Sequence, residues 1–169
     1  KKDGQQLRTR ISSTLWQINA CPMTYFGLSA TKNGYIAAWP TQGQVYFARM
    51  DKNGGVMPPG EIKTPGRSGM RTGLIALEAP DGKVLIAWNH QRQLSWQLYS
   101  PDSQPEDAPS SIPTAGTGVA GVVDEALGVV LGNIEGGRGR PEEERVCGEH
   151  RPAEYVVPPE VYEPRDELR

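Results

Sequence analysis

Arg71, in the run Gly69-Met70-Arg71-Thr72, is the residue best suited to grip an anion. A guanidinium presents paired N–H donors that match a carboxylate, so an arginine facing a channel could hold an acidic ligand. The alternative is an arginine bonded to carbonyls of a neighbouring strand. Cys21 could serve as a nucleophile only beside a base, and the two histidines, His90 and His150, fall in a hairpin and in a remote tail. A buried apolar plug is the simpler role for Cys21-Pro22-Met23-Thr24. Cys147, Glu149 and His150 lie close in sequence, but a tetrahedral site needs a fourth ligand and a rigid frame, so a solvated loop is expected and no metal. Asp51, Asn53 and Asp81 stand in turns, where such side chains cap their own backbone more often than they hold calcium. Gly66-Arg67-Ser68-Gly69 lacks the Gly-Lys-Ser/Thr ending of a phosphate loop, so no nucleotide and no cofactor is implied. These residues do not compose a catalytic set.

The scaffold that must position them has 169 residues, 37% of them hydrophobic, with 20 Gly, 15 Pro and two Cys. No run approaches the roughly 18 apolar residues of a membrane span, and no charged-then-apolar leader opens the chain, so neither a membrane span nor an attached signal is expected. Beginning at Lys1 without Met, the chain is expected to be a fragment or a processed product. Two distant cysteines cannot staple a small fold, and a net charge of −2 argues against a nucleic-acid partner.

That net charge hides a division. Residues 1–123 carry twelve Lys and Arg against eight acidic residues, net +4, whereas 124–169 carry six Arg, no Lys and twelve Asp and Glu, net −6. The stretch from Gly136 to Arg145 has no apolar period of 2 or 3.6, so ordering it would cost more than its burial returns. Two domains are therefore expected, a folded unit over 1–123 and a largely disordered acidic tail over 124–169. The loss of every Lys with enrichment of Gly, Arg, Pro and Glu fits either a genuine acidic tail or a coding strand read in a shifted frame. Within the tail, Ala126–Leu131 is the apolar cluster able to extend a Val119–Val123 strand into a hairpin through Asp124-Glu125.

The front unit contains a repeat. Ala38-Trp39 recurs as Ala87-Trp88, and the same offset of 49 carries Gln44-Val45-Tyr46-Phe47 onto Gln93-Leu94-Ser95-Trp96. An offset of 50 carries Ile62-Lys63-Thr64-Pro65-Gly66 onto Ile112-Pro113-Thr114-Ala115-Gly116, and a similar apolar run follows each. The segments are short, β-branched or aromatic, and separated by turn residues such as Lys32-Asn33-Gly34, so they read as strands. Four are expected near 23–30, 35–40, 44–50 and 61–64, and four near 70–78, 83–89, 93–100 and 110–113. A leading strand is expected near Leu7–Ser12.

Four antiparallel strands at a period between 40 and 50 are the arithmetic of a β-propeller blade. Tyr35–Trp39 and Val84–Trp88 are apolar on successive residues, as in a strand covered on both faces, which makes Trp39 and Trp88 packing residues between blades. The fold class is therefore all-β, a partial propeller of about two and a half four-stranded blades. A sandwich of six to eight strands is the competing architecture.

Asp3-Gly4, Trp16-Gln17-Ile18-Asn19-Ala20-Cys21-Pro22-Met23, Gly43–Arg49, Pro65–Gly73 and Ala87-Trp88 together resemble bacterial sialidase-like proteins with BNR or Asp-box repeats, over about residues 3–123. The family's Asp-box pattern, Ser-x-Asp-x-Gly-x-Thr-Trp, is degenerate here, with only Asp3 and a displaced Gly4. The resemblance implies an exported glycoside hydrolase built on a six-bladed propeller. Its active members hold the sugar carboxylate with three arginines and use a Tyr activated by Glu as nucleophile and an Asp as acid/base. The matched motifs are not those catalytic ones, so a fragment without independent activity is expected, with Arg71 as a substrate-binding candidate. A non-catalytic binding or scaffold propeller is the other reading. A glycan or further blades of the same propeller would be the partners.

Overall fold

The computed structural model describes residues 8–17, 26–68, 73–116, 118–124, 128–134 and 154–156. Among them every regular element is a strand. β1 (Gly27–Ala30), β2 (Gly34–Thr41), β3 (Gln44–Asp51) and β4 (Ile62–Arg67) form a four-stranded antiparallel sheet in chain order. β5 (Leu74–Glu78), β6 (Val84–His90), β7 (Gln93–Tyr99) and β8 (Ser110–Pro113) form a second of the same topology. β9 (Gly118–Asp124) and β10 (Gly128–Ile134) make a hairpin, with β11 (Glu154–Val156) added beside β10. The eight strands expected from the repeat are present, and Trp39 and Trp88 stand at matching places on the second strands of their sheets. No helix among the described residues is long and apolar enough to cross a membrane.

The period of 49 extends to the backbone. Gln42 and Gly43, with φ of 52° and 72°, join β2 to β3, and Gln91 and Arg92, with φ of 50° and 63°, join β6 to β7. Two consecutive positive φ values are what a two-residue hairpin with the right twist needs. After the third strand of the first sheet, Asp51 N donates to Gly55 O (2.8 Å), Gly54 N to Asp51 O (3.0 Å) and Met57 N to Arg49 O (2.9 Å). The second sheet repeats them as Ser100 N to Gln104 O (2.8 Å), Ser103 N to Ser100 O (2.8 Å) and Glu106 N to Leu98 O (3.1 Å). Gly54 and Ser103 share a positive φ, 83° and 64°.

The fourth strands break the strict sequence offset. Gln44 and Tyr46 pair with Arg67 and Lys63, whereas Gln93 and Ser95 pair with Pro113 and Ser111. Lys63 thus corresponds to Ser111 and Arg67 to Pro113, and not to residues 50 places on. A bulge opposite Gln44–Tyr46 absorbs the extra residues of β4. The sequence likeness at offset 50 reflects a local turn instead: Gly66 N donates to Thr64 Oγ1 (3.0 Å) and Gly116 N to Thr114 Oγ1 (3.1 Å).

Alternate side chains of each sheet serve different neighbours. Ile36, Ala38, Val45 and Phe47 of the first sheet meet Leu74, Ala76, Val84, Ile86, Trp88 and Tyr99 of the second. The opposite face of the second sheet, with Leu85, Ala87, Leu94, Trp96 and Leu98, packs against Leu131, Val119 and Val123 of the third layer. Phe47 and Tyr99 touch across the first interface with ring centroids 4.6 Å apart. Residues 36 and 38 and their counterparts 85 and 87 all point toward the following layer, so the layers are stacked head to tail. The third layer reaches past the expected boundary at 123: β9 runs to Asp124, and β10 lies within the stretch read as tail. Leu131 is fully buried there, the hairpin that the apolar 126–131 cluster permits. The rest of 124–169 lies outside the described residues, Glu154–Val156 apart.

On the outer face of the first sheet, Ala37, Trp39, Ala48 and Met50 cluster with Tyr46 of β3 and pack against Ile11 and Val56. Residues 8–17 have no strand partner and cross this face as a strap, so the expected leading strand near 7–12 is not formed over its described part. At its far end Gln17 N donates to Thr41 Oγ1 (3.0 Å), and Thr41 Oγ1 donates to Leu15 O (3.1 Å).

Arg92 stands in the left-handed region where its counterpart is Gly43, a conformation that strains an L side chain. Arg92→Gly is expected to stabilise the protein by up to about 1 kcal/mol, the gain being limited by the freer unfolded chain, and Gly43→Arg to destabilise it by a similar amount. Urea unfolding midpoints measure both.

Candidate functional site

The loops at one end of the first and second sheets enclose a groove of about 630 Å³. Its walls come from the β1–β2 turn (Lys32, Asn33), the β3–β4 loop (Met57, Pro58), the β5–β6 turn (Asp81) and the β7–β8 loop (Asp102). The groove also holds the most buried ion pair among the described residues. Arg49 Nη1 lies 2.6 Å from Glu78 Oε2, and the two side chains are 15% and 9% exposed. Arg49 Nη2 donates to Gly82 O at 2.7 Å, and its Nε is buried without a partner. Arg49 is on β3 and Glu78 on β5, so the pair ties the two sheets together. An anion could reach Arg49 only by displacing a carboxylate already held by the guanidinium, so this pair acts as a structural tie and not as a free anion site.

A second polar cluster fastens the strap. The Glu61 carboxylate accepts hydrogen bonds from Ser12 Oγ (2.6 Å), Ser13 Oγ (3.1 Å), Thr14 N (3.2 Å) and Thr14 Oγ1. Partial burial pushes this carboxyl up, but the hydroxyls of Ser12, Thr14 and Ser13 and the Thr14 N–H together outweigh it, and its pKa falls below the ordinary value. Burial pushes the Tyr99 phenol well up, and its hydroxyl donates to Gln97 Oε1 at 2.9 Å.

Arg71 lies outside the described residues, as do Cys21, Cys147, Glu149 and His150. His90 is the last residue of β6, beside the Gln91–Arg92 turn. Asp51 Oδ1 accepts from Asn53 N (2.7 Å) and Gly55 N (2.9 Å), and Asp81 Oδ1 from Lys83 N (3.0 Å), so both turn carboxylates cap their own backbone. Among the described residues no three His, Cys, Asp or Glu side chains are grouped as metal ligands would be. Gly66 and Arg67 of the glycine-rich run belong to β4, where Gly66 makes room for Trp88. Neither the Arg49–Glu78 pair nor the Glu61 cluster stands out in the sequence. The one available signal was that Ser12 and Glu61 are themselves 49 residues apart.

Removing one partner of the ion pair leaves the other charge half-buried and unpaired, so Glu78→Ala is expected to cost about 2 kcal/mol. The repeat counterpart of Arg49 is Leu98, so Arg49→Leu with Glu78→Leu is expected to be closer to wild type than Glu78→Ala alone; chemical denaturation of the three variants decides this. The depressed pKa of Glu61 gives a second expectation with a definite sign. Its contribution is fully present above the unfolded carboxyl value of about 4.3 and is lost as pH falls through the lower folded value. The difference in melting temperature between wild type and Glu61→Gln should therefore narrow below about pH 4. A difference that stays constant from pH 6 to pH 3 would contradict the assignment.

Compared with protein-family models, with curated proteins and with solved structures, the chain matches none.

Proposed function

We propose that the chain is part of a sialidase-like β-propeller of an exported glycoside hydrolase, contributing two blades and the beginning of a third, with no hydrolytic activity of its own. The observation that carries the propeller reading is the constant direction of stacking. Residues 36 and 38 point to the next layer, as do residues 85 and 87, and the second sheet is buried on both faces. A two-sheet sandwich is complete once two inner faces meet, whereas neighbouring blades must each bury both faces in the same sense. The sialidase-like part of the proposal rests on the sequence resemblance.

The framework role follows from how the groove uses its charges. Glycoside hydrolysis needs a proton donor and an anionic stabiliser or nucleophile free to meet the sugar. In the groove the half-buried carboxylate of Glu78 is paired with the guanidinium of Arg49. The absence of a free acid–base pair among the described residues of this groove equally suits, as the second reading, a non-catalytic propeller that serves as a binding or scaffold module.

The assay is release of fluorophore from a fluorogenic sialoside by the purified chain, expected to equal the rate without protein. Turnover abolished by Arg71→Ala would make this chain catalytic and Arg71 a binding residue.

A further inference from the structure

The two ends of the stack present surfaces whose counterparts inside the stack are covered. Leu28 on β1 and Tyr35 on β2 face away from the second sheet and are 57% and 42% exposed. Strand pairing places Leu28 opposite Ala37 and Ala76 opposite Ile86, and residues 37 and 86 are 49 apart, so Leu28 corresponds to Ala76. Tyr35 corresponds to Val84 by the same offset. Ala76 and Val84 are 1% and 0% exposed, buried among Ile36, Ala38, Val45 and Phe47 of the preceding sheet. The outer face of the first sheet is therefore equivalent to the face of the second sheet that the first sheet covers.

The strap covers only part of it. Gly66 of β4 lies against Trp88 near the Gln91–Arg92 turn, and Gln17, 49 residues earlier, bonds to Thr41 beside the Gln42–Gly43 turn. The strap thus stands where the fourth strand of a preceding layer would stand. Among the described residues none occupies the places of that layer's first three strands, over Leu28 and Tyr35. At the opposite end Val119 and Val123 point into the stack, and the alternate residues Ala120 and Val122 point out, with Val122 59% exposed. In the second sheet, that side of the first strand carries Ile75 and Leu77, which pack against the next layer.

We propose that the chain docks a second copy of itself head to tail, the Ala120–Val122 face of one copy lying on the Leu28–Tyr35 face of the next. The contact continues both interfaces already inside the chain, in the same direction and with the same kind of surface. A two-fold dimer would bring like faces together, which neither internal interface does. The inference rests on the stacking alone and is independent of the sialidase-like assignment, which the sialoside assay tests separately.

Sedimentation analysis of the full chain over a concentration series tests it with two variants, Tyr35→Glu and Val122→Glu. Both positions are partly exposed, and circular dichroism verifies that each variant folds. Wild type is expected to show a mass that rises above the monomer with concentration. Each variant alone is expected to associate at least tenfold more weakly. An equimolar mixture is expected to form a one-to-one dimer, because one variant keeps its tail face and the other its head face. Should Tyr35→Glu not fold, Leu28→Gln blocks the same face. A wild type that stays monomeric, association untouched by Val122→Glu, or a mixture that stays monomeric would each overturn the proposal.

Discussion

The indole of Trp88 reaches across to β4 at Gly66, where an added Cβ would stand 2.8 Å from the ring. The contact sets how closely the first two sheets approach, and the rest of the structure follows from it. With Trp88 seated, Ile36, Ala38, Val45 and Phe47 close over Leu74, Ala76, Val84 and Ile86, and each of these eight side chains is almost wholly removed from water. Burial of this kind is non-directional, so it can cover β6 on one face but cannot hold the sheets in register. Register comes from the shapes that interlock, the indole in the space left by a glycine and the Phe47 ring against Tyr99. The reverse face of β6 must then be covered as well, since Leu85 and Ala87 are as apolar as their neighbours. The third layer is that cover.

Polar contacts at the rim complete the arrangement in a different way. Arg49 and Glu78 join adjacent sheets where side chains from loops leave less apolar surface, and Ser29 Oγ donates to Ala76 O at 2.6 Å between the first strands. Such contacts add direction to an interface that burial alone would leave able to slide. Trp39 and Trp96 show the converse: their indole N–H groups are buried without partners, so their value lies in ring volume, not in hydrogen bonding.

Much of the fold was legible because burial on both faces writes itself into consecutive apolar residues. Tyr35–Trp39 and Val84–Trp88 announced covered strands, and their common offset announced equivalent ones. The fourth strands were less legible, because a bulge changes the register without changing the local Thr-x-Gly turn that the eye aligns. The strap is harder to read, because Leu7–Ser12 alternates in sequence as a strand would, yet no strand among the described residues pairs with residues 8–12. The Arg49–Glu78 tie was invisible for another reason: an ion pair between residues 29 apart has no period, and its counterpart position holds Leu98, so the repeat does not mark it. Arg71, the residue singled out for chemistry, falls outside the described residues, and the groove that the structure does display was not anticipated.

Gly27 carries a consequence for the shape that any longer stack would take. A Cβ there would stand 3.0 Å from the Ala76 backbone nitrogen and 3.1 Å from the Ile75 Cα, so β1 and β5 approach almost backbone to backbone. Further out, a whole indole stands between β6 and β4. The gap between the first and second sheets is therefore narrower along their first strands than between β6 and β4, and this taper is set by residue volume. Tapered layers laid in one direction turn toward their thin edge, so curvature is written in the contrast between a glycine and a tryptophan. Enlarging the thin edge would straighten the stack without altering any strand within a layer.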